Sequence, residues 1–198
     1  DIGRIVIQQT AKQIKKWNQM GFNNICVSVN VVAQQLRRGQ LLIDLDEAIK
    51  ANEISGDSLE LEITESSLIE NSETVKKLLQ EIKSRHINIS LDDFGTGYSS
   101  LSYLADFPID VLKIDRSFIS KIGQNKHEAI VCAMVAMGKA MGLTVVAEGI
   151  ETEQQLQYLR NLDCDIAQGY LFSKPLPEAE ATVYLKQNIR PATYTYLI

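Results

Sequence analysis

Six apolar runs along this chain each finish on a side chain able to do chemistry: Asn30, Glu62, Asp92 with Asp93, Lys113, Glu148 and Gln168. The adjacent aspartates are the most telling. Two carboxylates side by side repel, and one tends to take up a proton unless a cation neutralises both. Four carboxylates and an amide are hard oxygen donors suited to Mg²⁺ or Mn²⁺, and the shortage of nitrogen donors argues against zinc. Two such cations about 4 Å apart, bridged by a shared carboxylate, can activate a water and stabilise the charge of an in-line phosphoryl displacement. Lys113 could hold or deprotonate that water, its pKa lowered by the cations. Metal-assisted phosphodiester hydrolysis is the leading reading. Enolase-type chemistry, with a lysine base and carboxylates holding Mg²⁺ under an enolate, fits the same parts.

Other chemistries find less support. His86 is expected near the start of a strand and His127 follows the polar turn "GQNK", so neither is placed for catalysis. Ser99 and Ser100 have no base beside them in sequence. "GTG" at 95–97 lacks the third glycine of a dinucleotide fingerprint, and the acidic pair before it would repel a pyrophosphate. Cys26, Cys132 and Cys164 are odd in number and far apart, which suits apolar filler in a reducing cytosol.

The elements that must carry these residues alternate regularly. "RIVIQQTAKQIKKW" places Ile5, Ile7, Ala11, Ile14 and Trp17 roughly on one helical face, and "NICVSVNVV" then reads as a buried strand. Further strands are expected at 58–65, 87–93, 109–115, 143–149 and 164–172, with amphipathic helices between most of them. Six strand–helix units imply a parallel sheet, open or closed into a barrel. In a barrel all the strand ends point to one face, where active sites of such folds sit. The tail "RPATYTYLI" reads either as a short extra strand or as a loose end.

With 198 residues, 45% of them hydrophobic and 23% charged, the chain suits one well-buried domain. A formal charge of -5 without a basic run argues against binding a nucleic acid polymer. The longest apolar stretch, Ala129 to Gly138, falls short of the roughly 18 residues that span a bilayer, so no membrane contact and a cytoplasmic location are expected. The chain opens on Asp1 without a signal peptide, as a piece of something longer would.

The motifs "SVNVVAQQL", "LELEITES", "SLDDFGTGYSSLSYL", "VLKIDRSFI", "VVAEGIET" and "QGYLFSKPL" together resemble the EAL domains, bacterial phosphodiesterases that open cyclic di-GMP to linear pGpG. The resemblance implies a TIM-like (β/α) barrel of the EAL type. It implies that Asn30, Glu62 and Asp92 bind one metal, and that Asp92, Asp93 and Glu148 serve a second. Lys113 then engages the attacking water, Glu151 and Gln168 are further polar positions of the site, and Glu65 steadies the loop through Gly95 that continues along "GTGYSS". Mg²⁺ or Mn²⁺ would support turnover and Ca²⁺ inhibit it. The resemblance also implies a homodimer formed through the loop and helix after Asp93, and an upstream sensor or signalling domain.

One departure is clear. The family's E-x-L-x-R strand, which supplies a metal-binding glutamate and a substrate-binding arginine, precedes the helix with which this chain begins, and about six of eight barrel strands are present. The single EAL-type domain over 1–198, with its tail from 187 uncertain, is thus expected to be N-terminally incomplete and impaired by itself. The alternative reading is a non-catalytic cyclic di-GMP receptor or interaction module.

Overall fold

The computed structural model describes residues 2–37, 39–69, 72–96, 105–188 and 195–197. Seven parallel strands form one curled half-barrel: β1 (Ile25–Val31), β2 (Leu59–Thr64), β3 (Asn88–Phe94), β4 (Val111–Ile114), β5 (Thr144–Ala147), β6 (Ile166–Ala167) and β7 (Thr195–Leu197), in spatial order β6-β5-β4-β3-β2-β1-β7. The six strands expected from the sequence are all present. The seventh answers the question of the tail, since Thr195–Leu197 pairs with Ile25, Cys26 and Val27 of β1. Among the described residues β6 and β7 are unpaired edges, so the sheet does not close.

Nine helices accompany the strands among the described residues: α1 (Ile2–Gln19), α2 (Ala33–Arg37), α3 (Gln40–Asn52), α4 (Glu65–Ile69), α5 (Ser72–Lys83), α6 (Arg116–Ile119), α7 (Asn125–Ala140), α8 (Glu153–Asn161) and α9 (Glu178–Asn188). Helix α1 buries Ile7, Ala11, Ile14 and Trp17, as its spacing predicts, but Ile5 is 54% exposed. At 3.6 residues per turn, two residues are about 200° apart, so Ile5 cannot share the face of Ile7. Helix α8 starts with a capping box, in which Thr152 Oγ1 accepts from Gln155 N while the Gln155 side chain accepts from Thr152 N. No helix among the described residues is long and apolar enough to cross a membrane.

Strand alternation divides the two faces of the sheet. Val29, Val31, Leu59, Leu61, Ile63, Ile89, Leu91, Leu112, Ile114, Val145 and Ala147 pack with helix residues such as Ile14, Leu45, Leu79, Ile82 and Val135 in the main core. Trp17, Phe22 and Ile25 form a smaller cluster with Leu185 of α9. The residues between them, Ser28 and Asn30 on β1, Glu60 and Glu62 on β2, Ser90 and Asp92 on β3, and Lys113 on β4, fall on the concave face. Leu79 is fully buried, and trimming it to alanine would cost about 2–5 kcal/mol. The apolar face thus holds the strands in register, and the register levels the polar face: Asn30 lies beside Glu62, and Thr64 beside Asp92.

Candidate active site

Lys113 is one of the largest fully buried side chains, 2% exposed at the end of β4. Its Nζ lies 2.5 Å from Glu62 Oε1, 2.7 Å from Glu148 Oε1 and 3.8 Å from Asp92 Oδ1. Four strand ends expected to share a face are therefore brought to one point. Glu148 follows β5 directly, its N–H donating to Ile114 O of β4 at 3.1 Å. An ammonium this buried and without a partner would have its pKa lowered. Burial does disfavour the ammonium, but Glu62 and Glu148 outweigh it and push its pKa well above the ordinary value.

Three carboxylates around one ammonium leave the pocket two negative charges in excess. Burial raises the Glu148 carboxyl, Lys113 offsets this only in part, and Asp92 and Glu62 add to it. Asp93 is raised by burial, then by Asp92 and Asp115, while Lys113 lowers it. Such a centre attracts further positive charge. Among the described residues no three His, Cys, Asp or Glu side chains are grouped as a ready metal cage, and Glu62 and Glu148 are paired with the ammonium. The donor set nevertheless fits hard divalent cations: all its atoms are oxygens, they converge on a cationic centre, and their charge is not balanced by protein groups.

A local irregularity in β3 keeps Asp92 and Asp93 side by side at the site. Neighbours on a regular strand point to opposite faces, but the pairing of β3 with β4 slips between Leu91 and Phe94, and Asp93 takes φ 57°. Asp93 N donates to Asp92 Oδ1 at 2.9 Å, fixing the first carboxylate with the backbone of the second. Gly95 follows at φ 89°, and a Cβ there would run into Met134 and lie 3.0 Å from Phe118 Cζ. Glu65 is buried where β2 gives way to α4. Its Oε2 accepts from Gly95 N at 3.4 Å, and its Oε1 has no hydrogen-bond partner among the described residues. Gly97, Ser99, Ser100 and the proposed dimer segment up to residue 104 lie outside the described residues.

The remaining expected residues are less tightly joined. Asn30 is exposed beside Glu62 and lines a cavity of about 610 Å³ with Val6, Gln35 and Asp44. Gln168 continues the concave face beyond β6, and its buried Oε1 has no partner among the described residues. Glu151 does not join Lys113: its Oε1 pairs with Arg116 Nη2 at 2.6 Å near the rim. Sequence reasoning missed Glu60, which is 1% exposed beneath Glu62, accepts from Ser28 Oγ at 2.9 Å, and has its carboxyl raised chiefly by burial. The alternation "LELEI" was its signal, since it puts Glu60 and Glu62 on the same face.

A parallel half-barrel with carboxylates gathered around a buried lysine at the strand ends defines a class, and comparison with known proteins supplies its name. The model of the EAL domain matches residues 1–175, and the chain belongs to the EAL domain family. The cyclic di-GMP phosphodiesterase NbdA of Pseudomonas aeruginosa is 40% identical over 182 residues, 91% of this chain and 23% of NbdA. The chain thus spans about a quarter of the length of that curated relative. A solved structure of the PaMucR phosphodiesterase in complex with c-di-GMP superposes with a TM-score of 0.87 at 36% identity, covering 91% of this chain and 73% of that one. Klebsiella pneumoniae BlrP1, solved as a manganese and cy-diGMP complex, gives 0.75 at 28% identity, covering 87% and 44%.

Proposed function

We propose that this chain is the catalytic domain of a cyclic di-GMP phosphodiesterase that opens its substrate to linear pGpG with two Mg²⁺ or Mn²⁺ ions. The observation that carries the reading is the buried Lys113 ammonium within 4 Å of three carboxylates from three strand ends. The likeness to NbdA and to the cyclic di-GMP complexes of PaMucR and BlrP1 supports the substrate. Asn30, Glu62, Asp92, Asp93 and Glu148 would hold the metals. Bound there, the ions supply Lewis acidity for a water and for the phosphoryl oxygens.

The protein's own contribution centres on Lys113. An ammonium has three N–H donors, and two are engaged by Glu62 and Glu148. Asp92 at 3.8 Å is beyond hydrogen-bond reach, so the third donor is left for the attacking water. The sequence offered two roles for this lysine, holding the water or deprotonating it; the carboxylates that push its pKa up favour the first, in which it orients the water and offsets charge. Glu65 sets the backbone at Gly95, which keeps Asp92 and Asp93 at the mouth.

A cytoplasmic setting, pairing with a second copy through the segment after Asp93, and an upstream sensor domain belong to the same proposal; the greater length of NbdA supports the last. The open edges at β6 and β7 favour a second reading, a domain that binds cyclic di-GMP without turning it over unless further strands complete the barrel. Incubation with cyclic di-GMP and Mg²⁺ separates the two. Appearance of pGpG identifies the enzyme, and saturable binding without product identifies the receptor.

A further inference from the structure

Arg116 begins α6 two residues beyond β4, on the face where Lys113, Glu148 and Asp93 gather. Its placement is closely determined. Asp115 caps the helix, its Oδ1 accepting from Ser117 N at 2.9 Å, and so fixes the start of the turn that bears Arg116. The arginine stem lies flat on Gly149, the residue after Glu148. A Cβ at Gly149 would come within 2.6 Å of Arg116 Cβ and closer still to its Cγ, so only glycine leaves room for the arm; Gly149 also takes φ 70°. At the arm's end Nη2 pairs with Glu151 Oε1 at 2.6 Å, with both side chains substantially exposed.

A pair this exposed contributes little to stability, so the ion pair alone gives no reason for so specific a seat. The site's charge does give one. The substrate proposed above is a dianion, which has to be held beside a rim that bears Glu151. A guanidinium at the mouth, held among the described residues by one carboxylate, has further N–H donors that match a phosphodiester in bidentate geometry.

We propose that Arg116 is a substrate-binding residue that exchanges Glu151 for a phosphodiester oxygen pair of cyclic di-GMP. This rests on the phosphodiesterase reading. Glu151 holds the arm in place when substrate is absent, and Gly149 is the rail along which the stem lies. Arg116 contributes to binding and leaves the chemical step to the centre around Lys113.

The test measures cyclic di-GMP affinity by equilibrium dialysis in Ca²⁺, together with KM and kcat in Mg²⁺, for the full-length protein and its R116A, R116M and R116K variants. R116M keeps the stem over Gly149 and removes the charge. R116A and R116M should both weaken binding and raise KM by about tenfold with kcat within about threefold, and R116K should fall between them and wild type. R116M binding as tightly as wild type would overturn the proposal: the arm would then serve only to pack Gly149 if R116A is weak, and nothing at the site if R116A is also unchanged. A wild-type protein without affinity for cyclic di-GMP would instead overturn the functional reading, and this inference with it.

Discussion

Lys113 on β4 reaches past β3 to set its ammonium 2.5 Å from Glu62 Oε1 on β2, with both side chains buried. The contact joins two strands that are not neighbours. Lys113 therefore ties the concave face together as well as neutralising part of its charge, and removing it should have two separable effects.

In K113M the carboxylates of Glu62, Glu148 and Asp92 lose their shared cation. The metal-free protein should be destabilised by about 3–5 kcal/mol, the usual cost of breaking a buried pair, and Mg²⁺ should raise its melting temperature more than it raises that of wild type. Turnover should fall by about a hundredfold or more while cyclic di-GMP binding survives. An unchanged rate would reduce Lys113 to a structural residue.

Alkaline unfolding reports the same charge independently. The folded chain holds the Lys113 proton above its ordinary 10.5, because Glu62 and Glu148 outweigh the burial that would release it. The stability this gives is fully present below that ordinary value and is lost as pH rises through the higher folded-state value. Above pH 10.5 wild type should lose about 1.4 kcal/mol per pH unit relative to K113M in urea titrations. Parallel curves for the two proteins would contradict a charged Lys113.

Among the described residues Glu65 acts on the turn through one backbone contact, its Oε2 accepting from Gly95 N. E65A should speed amide exchange at Gly95 and Thr96 roughly tenfold and leave the exchange of β1 unaltered. Equal protection in mutant and parent would remove Glu65 from the support of this turn.

Metal identity follows from oxygen donors and an uncompensated charge. Mg²⁺ and Mn²⁺ should support hydrolysis, and Ca²⁺, larger and looser in its geometry, should bind and inhibit. Strong activity in Ca²⁺ alone would argue against a tightly organised two-metal centre.

Much of this was legible in the sequence because alternation and apolar runs encode burial directly. The strand ends Glu62, Asp92, Lys113 and Glu148 could be read as one cluster because parallel strands share a polarity, and the structure joins them at Lys113 Nζ. Ile5 was misplaced because a period of 3.6 tolerates few deviations at a helix start. Glu60 was passed over because a charged alternate position reads as solvated, whereas in a curled sheet the second face is an interior. Nothing in the sequence signalled that Glu62 and Glu148 would push the Lys113 pKa up, since that depends on distances between strands. The pairing of Glu151 with Arg116 was equally hidden, as it joins the start of α6 to the loop before α8, which only the fold brings together.

The most direct test follows pGpG formation from cyclic di-GMP in Mg²⁺, with and without chelator, for the full-length protein and its K113M variant. The full-length protein should yield pGpG, chelator should abolish it, and K113M should yield about a hundredfold less. Failure of the full-length protein to make pGpG, or formation undiminished by chelator, would contradict a metal-dependent cyclic di-GMP phosphodiesterase built around Lys113.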